Sequence, residues 1–419
     1  MHVLMVSDVF FPRVNGVSTS IETFREALTA MGHRLTLVVP DYRGRRAVIR
    51  EAEDALIRVP ARRVPFDPED RLMSRRAIDR LLPWLREQGV DRVHVQTPFV
   101  AHGAGRHLAR ALEVPVLTTY HTFFEEYLHH YLPLVPAAVT RALARRISRR
   151  QCNQMDRVIV PSRAMADVLR DYGVAAPLSV LPTGIPLERF GRGDGHAFRR
   201  RLGIDPDRPV MLTVSRMAFE KNLDFLLDVL ARVRRRIPRV LFLMAGEGPM
   251  RRHLTRRVAA EGLSAHVRFL GYLDRERDLT DCYQAADVFV FASKTETQGL
   301  VLLEAMAAGL PVVALAEMGT RDVLREGQGC RIARDEVADF AGKVERVLAD
   351  HRLRRRLADS GRRYAREWAA PLMAERLIEI YVALRPGEMA QAAPGEALEP
   401  ASPAALPVAT GARQWRRGE

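Results

Sequence analysis

Short apolar runs rich in β-branched residues alternate with amphipathic helical patterns along most of this chain, and the alternation occurs twice. In the first half, the strand-like runs are 3–6, 35–39, 93–96, 116–119, 158–160 and 178–181. After a polar, glycine-rich stretch at 191–203, which we interpret as a linker, runs follow at 210–214, 240–244, 267–270, 288–291 and 312–314. Repeated strand–helix–strand units predict parallel sheets covered by helices on both faces. The sequence therefore predicts an α/β protein with two Rossmann-like, doubly wound domains.

The length of 419 residues agrees with two domains, because it exceeds what one hydrophobic core usually organises. We place the first domain at 1–183 and the second at 184–365. The last helical pattern, about 362–384, predicts a C-terminal helix within 366–386 that crosses back to the first domain. The Ala- and Pro-rich tail at 387–419 predicts disorder. Ligands of doubly wound sheets bind outside the carboxyl ends of the strands, so we expect the site in the central cleft.

Cysteine content and the distribution of apolar residues indicate the compartment. Cys152, Cys282 and Cys330 are odd in number and far apart, which excludes a disulfide framework and a zinc knuckle and suits a reducing cytoplasm. The chain enters a strand-like run at once, without the basic start and long apolar region of an export signal. No window is long and apolar enough to span a bilayer. We therefore expect a cytoplasmic protein.

The formal net charge of +14 is the unusual global property of the chain. Many of its arginines lie in the helical pattern at 139–150, where Val139, Leu143 and Ile147 interleave them at helical spacing. A solvated helix face and contact with an anionic membrane surface both fit this pattern, the latter implying a peripheral location on the inner face of the plasma membrane. Nucleic acid is not an expected partner, because no aromatic platform or recognised module accompanies the charge.

The stretch 288–316 combines a buried strand, a polar loop and a helix. Glu296 lies in the loop, Gly299 opens the helix, and Glu304 lies more than one turn inside it among apolar neighbours. Unpaired backbone N–H groups at such a helix start, with the positive end of the helix dipole behind them, can bind a phosphate or a sugar hydroxyl. A buried carboxylate at Glu304 predicts a ligand, whereas Glu296 also fits a charge favoured by the dipole alone.

Two cations follow the first strand of the second unit. Arg216 and Lys221 are five residues apart at a predicted strand end, where a guanidinium fork and an ammonium can converge on one anion such as a diphosphate. Exposed loop charges would be the ordinary alternative. Gly246 ends the next strand, where a turn beside a nucleotide and a simple glycine turn fit about equally well.

Two positions in the first unit complete the set. Gly16 follows strand one in a small loop before a helix, where backbone can approach a ligand closely. The loop lacks the GxGxxG pattern, which argues against a dehydrogenase. His121 ends a later strand and faces the predicted cleft, unlike most of the other histidines, which we expect to be structural.

The two glutamates from Glu296 to Glu304, continued by the sequence Ala-Met-Ala-Ala-Gly-Leu-Pro-Val-Val, resemble the signature of family 4 (group 1) glycosyltransferases with the GT-B fold. The resemblance implies a nucleotide-sugar donor, no permanently bound cofactor and no metal. It implies that the second glutamate binds the donor ribose, the first lies near the transferred sugar, and the cations and the first-domain glycine lie beside the diphosphate. The residues it assigns are Arg216, Lys221, Glu296 and His121 for catalysis and Gly16, Gly246, Thr297, Gln298, Gly299, Leu300 and Glu304 for donor binding.

Within that family, the segments 295–300 and 120–128 are similar to bacterial diacylglycerol glucosyltransferases. This similarity implies UDP-glucose, rather than a GDP-sugar, as donor and a membrane lipid as acceptor. A GDP-mannose-dependent α-mannosyltransferase with a lipid or glycan acceptor is the alternative on the same fold. A sugar-nucleotide epimerase or a non-catalytic binder are alternatives of another class, and they differ from a transferase in whether nucleotide diphosphate release requires an acceptor.

The family retains anomeric configuration. Double displacement would need a carboxylate nucleophile, and Glu296 is the obvious candidate. We expect Glu296 to position the sugar instead, and we favour front-face attack through an oxocarbenium-like transition state. Arg216 and Lys221 would then stabilise the charge that develops on the leaving diphosphate.

Overall fold

The computed structural model describes residues 1–51, 55–64, 67–121, 123, 137–274 and 277–384. The strands of its first half are β1 (His2–Val6), β2 (Arg34–Pro40), β3 (Ile49–Glu51), β4 (Leu56–Val59), β5 (Ala61–Val64), β6 (Asp67–Met73), β7 (Arg92–Val95), β8 (Val116–Thr119), β9 (Arg157–Val160) and β10 (Leu178–Val180). Eight of them form one sheet in the order β10-β9-β8-β7-β1-β2-β4-β3, parallel except at β3–β4. The other two, β5 and β6, form a separate antiparallel ribbon.

The second half contains a six-stranded sheet that is parallel throughout. Its strands are β11 (Val210–Val214), β12 (Leu241–Ala245), β13 (Val267–Gly271), β14 (Val288–Phe291), β15 (Val312–Leu315) and β16 (Cys330–Ala333). Their order is β13-β12-β11-β14-β15-β16. Several of these strands are apolar at every position because helices cover both faces of the sheet, and this is why they appear in the sequence as uninterrupted apolar runs.

Helices cover both sheets. In the first half they are α1 (Gly16–Ala30), α2 (Arg75–Asp79), α3 (Leu82–Glu87), α4 (Val100–Leu112), α5 (Ala137–Cys152) and α6 (Arg163–Asp171). In the second half they are α7 (Leu187–Phe190), α8 (Gly195–Arg201), α9 (Leu223–Val233), α10 (Arg251–Ala260), α11 (Asp278–Gln284), α12 (Leu300–Ala307), α13 (Thr320–Val323), α14 (Val337–Ala349), α15 (His351–Ala365) and α16 (Ala370–Ala383). None of the helices in the described part of the chain has the length and apolar character needed to cross a membrane.

The last helix of the described chain, α16, lies against the first sheet. Its buried face joins the apolar core formed by β1, β2 and α1. The hydroxyl of Tyr381 lies 2.7 Å from Nδ1 of the buried His94 on β7. The chain thus passes between the two halves twice, and the passages are in contact. Ile185 N donates to Trp368 O (2.8 Å), and Ala370 N donates to Ile185 O (2.9 Å).

Four sequence expectations were wrong in detail. The stretch 191–203 is not a linker but contains α8, and Gly193 and Gly195 let its backbone approach α11, where any Cβ would lie within 3 Å of the α11 backbone. Residues 75–87, which have a continuous helical pattern in the sequence, form two helices, because a proline opens the second. The pattern at 362–384 is likewise divided by a 3-10 turn at Arg366–Trp368. The strands β3 to β6 and β16 were not anticipated, because charged residues interrupt their short apolar runs. The tail at 387–419 lies outside the described residues.

Candidate active site

The predicted donor residues of the second half lie at the carboxyl ends of three neighbouring strands. Gly246 follows β12, Arg216 and Lys221 follow β11, and Glu296 follows β14. The strand order reverses between β11 and β14, so the loops of these two strands flank the switch point of the sheet, where doubly wound proteins open a crevice. The structure therefore brings together four residues that the sequence separates by up to 80 positions.

Gly246 fixes the backbone that carries Arg216. It has a φ of 122°, and a Cβ there would lie 2.0 Å from the carbonyl oxygen of Ser215. Only glycine permits this conformation and this approach. Met217 N donates to Glu247 O (2.8 Å), which ties the two loops together on the other side of Arg216. The guanidinium of Arg216 is exposed and has no hydrogen-bond or ion-pair partner among the described residues, so it is available to an anion.

Lys221 and Glu296 form an ion pair between the β11 and β14 loops. Each side chain is 17% exposed, so the pair is largely withdrawn from water. Asn222 supports it from a left-handed conformation (φ 54°), with Nδ2 donating to Ala292 O (3.3 Å). Ser293 Oγ donates to the Glu220 carbonyl (3.2 Å). A diphosphate that approaches Lys221 must therefore share the ammonium with a carboxylate already in place.

The helix α12 begins at a glycine and holds a buried carboxylate. Gly299 precedes the helix with a φ of 93° and has no side chain that could cap it. No capping side chain at this position therefore accepts hydrogen bonds from the first N–H groups of the helix. Glu304 is 3% exposed, which excludes a solvent-facing role for it. Its Oε2 accepts a hydrogen bond from the Tyr283 hydroxyl (2.8 Å). No local pattern indicates Tyr283, because its partner lies 21 positions away on another helix.

Two residues of the loop between β14 and α12 contact the first half of the chain. Thr297 Oγ1 donates to the carbonyl oxygen of His121 (3.2 Å). The side-chain amide of Gln298 bonds the backbone of Thr183 twice, accepting from its N–H and donating to its carbonyl (both 2.8 Å). The side chain of Gln298 is therefore occupied, and only its backbone remains for the donor contact that the sequence predicts.

His121 follows β8 in the first half of the chain and is half-buried. Its Nε2 is 2.9 Å from Oε1 of Gln96, which follows the adjacent strand β7. Burial lowers the pKa of His121 to about 4, so the imidazole is neutral at physiological pH. A neutral imidazole can accept a hydrogen bond from a hydroxyl but contributes no charge. The two residues belong to a pocket also lined by Thr97, Pro98, His102, Thr118, Thr119, Tyr120, Gln151 and Cys152.

Gly16 is the first residue of α1. Asn15 precedes it as N-cap, accepting from Ser18 N (2.9 Å), while the Ser18 hydroxyl receives the Asn15 N–H (2.9 Å). A Cβ at Gly16 would have no described atom within 4 Å. Packing within the described protein therefore does not demand glycine here, and the exposed helix start leaves space for a ligand group.

Asp8 is a buried carboxylate at the end of β1 that the sequence analysis passed over. Its Oδ2 accepts from Thr97 Oγ1 (2.8 Å), and Oδ1 accepts from the Ala101 N–H in the first turn of α4 (3.1 Å). Burial raises its pKa to about 6 against the opposing effect of these bonds. The signal was present, since a charged residue directly follows a buried strand. Its contacts indicate that it caps α4 and joins the β1 and β7 loops.

Two family models match the chain. The model described as "Glycosyltransferase Family 4" matches residues 14–189, and that described as "Glycosyl transferases group 1" matches residues 195–364. Among curated relatives, the alpha-monoglucosyldiacylglycerol synthase of Streptococcus pneumoniae is 33% identical over 75% of this chain and 71% of its own length. The GDP-mannose-dependent alpha-mannosyltransferase of Mycobacterium tuberculosis is 28% identical over 94% of this chain and 99% of its own.

Solved structures share the architecture. Anabaena HepE in complex with UDP and glucose superposes with a TM-score of 0.72 at 16% identity, covering 92% of this chain and 100% of that one. Sucrose-phosphate synthase from Thermosynechococcus elongatus gives a TM-score of 0.71 at 23% identity, covering 91% and 98%. At these identities the likeness establishes the fold, which agrees with the two facing parallel sheets. Taken with the family models and the 33% identical relative, it shows that the chain belongs to the group 1, family 4 glycosyltransferases of GT-B fold.

Proposed function

We propose that this glycosyltransferase moves glucose from UDP-glucose to the hydroxyl of diacylglycerol or a similar membrane lipid, with retention of anomeric configuration. One observation carries the proposal. The hydrogen bond from Thr297 to the His121 carbonyl places the loop of the Lys221–Glu296 pair against the first half of the chain. Charged groups suited to a diphosphate and neutral groups suited to hydroxyls thus meet in one cleft.

The roles that we propose for the two domains follow from the side chains that each one contributes. In our proposal, residues 184–365 bind the donor, residues 1–183 bind the acceptor, and the helix within 366–386 secures the first domain. Arg216 and Lys221 bind the diphosphate, aided by the start of α1 at Gly16 and the turn at Gly246. Glu304 receives the ribose hydroxyls, and the backbone from Thr297 to Leu300 positions the sugar. No bound cofactor or metal is part of the scheme.

The proposed chemistry is front-face transfer. The acceptor hydroxyl attacks the anomeric carbon from the side on which the diphosphate leaves, and the departing phosphate oxygen takes the hydroxyl proton. Negative charge grows on the diphosphate as the bond breaks, and Arg216 and Lys221 stabilise it. Glu296 is held by Lys221 and positions the sugar, so it is not assigned as a nucleophile. His121, being neutral, accepts a hydrogen bond from a sugar hydroxyl.

A lipid acceptor is supported by the relatives named for diacylglycerol glycolipid synthesis and by the outer surface of α5. Thr140, Ala144 and Ser148 of this helix are buried, whereas Val139 and Leu143 are 55% and 42% exposed. Exposed arginines flank this apolar stripe. An apolar stripe with basic borders fits docking on an anionic bilayer. The proposal includes a peripheral location on the inner face of the plasma membrane.

The proposal is tested by supplying the chain with UDP-glucose and diacylglycerol in vesicles that contain anionic lipid. We expect a glucolipid whose anomeric proton shows the α configuration by NMR, and UDP release that requires the acceptor. Release of UDP without acceptor dependence would contradict the transferase and favour an epimerase or hydrolase. A β-linked product would contradict retention.

A GDP-mannose-dependent mannosyltransferase is the second candidate, favoured by relatives of that name that cover 84% and 94% of this chain. The nucleotide base distinguishes the two. A ligand that binds the folded state raises the unfolding temperature by mass action. Thermal-shift measurements with UDP, GDP and ADP should give the largest shift with UDP, and a larger shift with GDP would favour the mannosyltransferase.

A further inference from the structure

The side chain of Gln298 is buried at the junction of the two halves, although it belongs to the proposed donor loop. It is 5% exposed, and both ends of its amide bond the backbone of Thr183, 115 positions away. The Thr183 N–H can only donate and its carbonyl can only accept, so the orientation of the amide is determined by its partners. Two hydrogen bonds therefore join the donor loop to the segment at 183–185, where the chain passes from the first domain to the second.

A further hydrogen bond links Thr183 to the first domain. Thr183 Oγ1 lies 2.6 Å from the hydroxyl of Ser20, and both residues are buried. Ser20 lies on α1, little more than one turn after Gly16 at the exposed helix start. The three residues Gln298, Thr183 and Ser20, here called the tether, therefore connect the donor loop to the helix that faces the proposed diphosphate.

The middle of the tether is held in place by its neighbours. Thr183 is followed by Gly184, where a Cβ would lie 2.6 Å from the Cα of Ala370. The next residue, Ile185, exchanges backbone hydrogen bonds with the second passage between the domains. A buried amide that lost both partners would leave polar groups unsatisfied, so the donor loop cannot shift relative to this junction without a cost.

We propose that Gln298 is a positioning residue, which holds the donor loop in register with the start of α1 through Thr183 and Ser20. The inference rests on the proposed function, in which these two elements bind one nucleotide sugar from opposite sides. In this proposal the role of Gln298 differs from that of its neighbours in the loop. Its side chain maintains the geometry of the cleft and touches no donor atom. Misplacement of reacting groups by about 1 Å can lower turnover on the order of 10²-fold.

The test compares Gln298→Met with Gln284→Met in the full chain. Gln284 also donates its amide to a backbone carbonyl, that of Phe190 (3.2 Å), but within the second half alone. We expect Gln298→Met to lower kcat on the order of 10²-fold, with a calorimetric Kd for UDP within about threefold of the wild-type value. Hydrogen exchange should accelerate in peptides covering 296–299 and 180–186. Gln284→Met should change none of these quantities, even where it lowers the unfolding temperature.

Two further variants make the result independent of folding losses. Gln298→Glu keeps the acceptor for the Thr183 N–H but turns a buried carboxylate oxygen toward the Thr183 carbonyl, so its loss of kcat should be at least as large as that of Gln298→Met. Ser20→Ala breaks the other link. If the three residues act as a unit, Gln298→Met combined with Ser20→Ala should have a kcat close to that of Gln298→Met alone.

The positioning role would be contradicted if Gln298→Met had the wild-type kcat and unchanged hydrogen exchange. It would also be contradicted if the variant lost as much UDP affinity as kcat. The exchange measurement needs neither donor nor acceptor. A wild-type chain that transfers no sugar would therefore contradict the proposed function without affecting the tether.

Discussion

The predicted site residues of the two domains differ in charge. In the second domain, Arg216 is exposed and Lys221 is paired with Glu296 across two loops. On the first-domain face, His121 is neutral and bonded to the amide of Gln96. The arginines of the first half lie on the outer surface of α5 and elsewhere, including Arg13 in the loop before Gly16. In the proposed reaction, the cations suit the diphosphate and the neutral imidazole suits a hydroxyl, so charge stabilisation would fall mainly to the second domain and sugar positioning to the first.

The largest effects should come from the charged face. Replacing Arg216 or Lys221 with Ala removes a contact to charge that develops only in the transition state, so kcat should fall ~10²–10³-fold. Steady-state transfer assays measure this, with Arg235→Ala as an exposed cation of the same domain that should behave as wild type. Near-normal turnover in either variant would contradict the assignment of charge stabilisation to this face.

Charge on the outer surface of α5 should matter for membrane binding and not for chemistry. Each arginine near an anionic surface contributes about 1 kcal/mol, so the double variant Arg146→Glu, Arg150→Glu should weaken binding at least about 30-fold. Flotation with anionic vesicles at low salt measures the effect. The same charge change at Arg232 and Arg235 on the second domain is the control. Equal losses in both double variants would mean that overall charge, not α5, attracts the membrane.

The neutral face should give a smaller kinetic effect. Replacing His121 with Gln alters one uncharged hydrogen bond, and we expect kcat to fall up to about tenfold. Because the pKa of His121 is about 4, it should produce no step in kcat between pH 5 and pH 8. Rate–pH profiles of the wild type and the variant test this. A step near pH 6.5 that disappears in His121→Gln would show that the face is charged in the active enzyme.

A second buried imidazole of the first domain, that of His94, should affect the stability of the protein. Burial lowers the pKa of His94 to about 3. Between pH 6.5 and pH 3 the unfolded chain binds a proton at this site that the folded chain does not, so the free energy of unfolding decreases as the pH falls. His94 should account for about 2 kcal/mol of the decrease from pH 6.5 to pH 5.

Urea unfolding at both pH values measures the contribution of His94. The pH dependence should be weaker in His94→Gln by about that amount, while the exposed His253→Gln should resemble the wild type. An unchanged pH dependence in His94→Gln would mean that the folded protein accommodates the imidazolium. Asp8 acts in the opposite direction below pH 6, since its pKa is raised, so the comparison must be made between variants.

Local patterns predicted the architecture well where strands are buried on both faces. Every apolar run from β7 to β15 corresponds to a strand. The pattern is clearest in central strands such as β12, β14 and β15, where burial on both faces requires apolar residues at all positions. The pattern failed at β3, β4 and β16, which lie at or next to a sheet edge, and at β5 and β6, which form a separate ribbon. Glycine was also ambiguous. At 191–203 it suggested a linker, whereas Gly193 and Gly195 serve close packing against another helix.

The candidate site was partly visible in the sequence. Residues that follow strands, such as Arg216, Lys221 and Glu296, could be located because parallel strands present their carboxyl ends at one edge. The contacts among these residues could not be predicted from the sequence, and neither could the position of Tyr283 beside Glu304. For Gln298, position in the motif suggested a donor ligand, but only the structure revealed the backbone of Thr183 as its partner.

The sequence alone determined the kind of protein, because the period of apolar residues and the spacing of the Glu296–Glu304 motif are local properties. It indicated two doubly wound domains and the loops that carry their functional groups. Only the tertiary structure decided which of those groups are free and which are occupied. Ion pairing, burial and the neutrality of His121 depend on partners from distant segments. Such partners are set by how the two domains pack, and no local pattern encodes that packing.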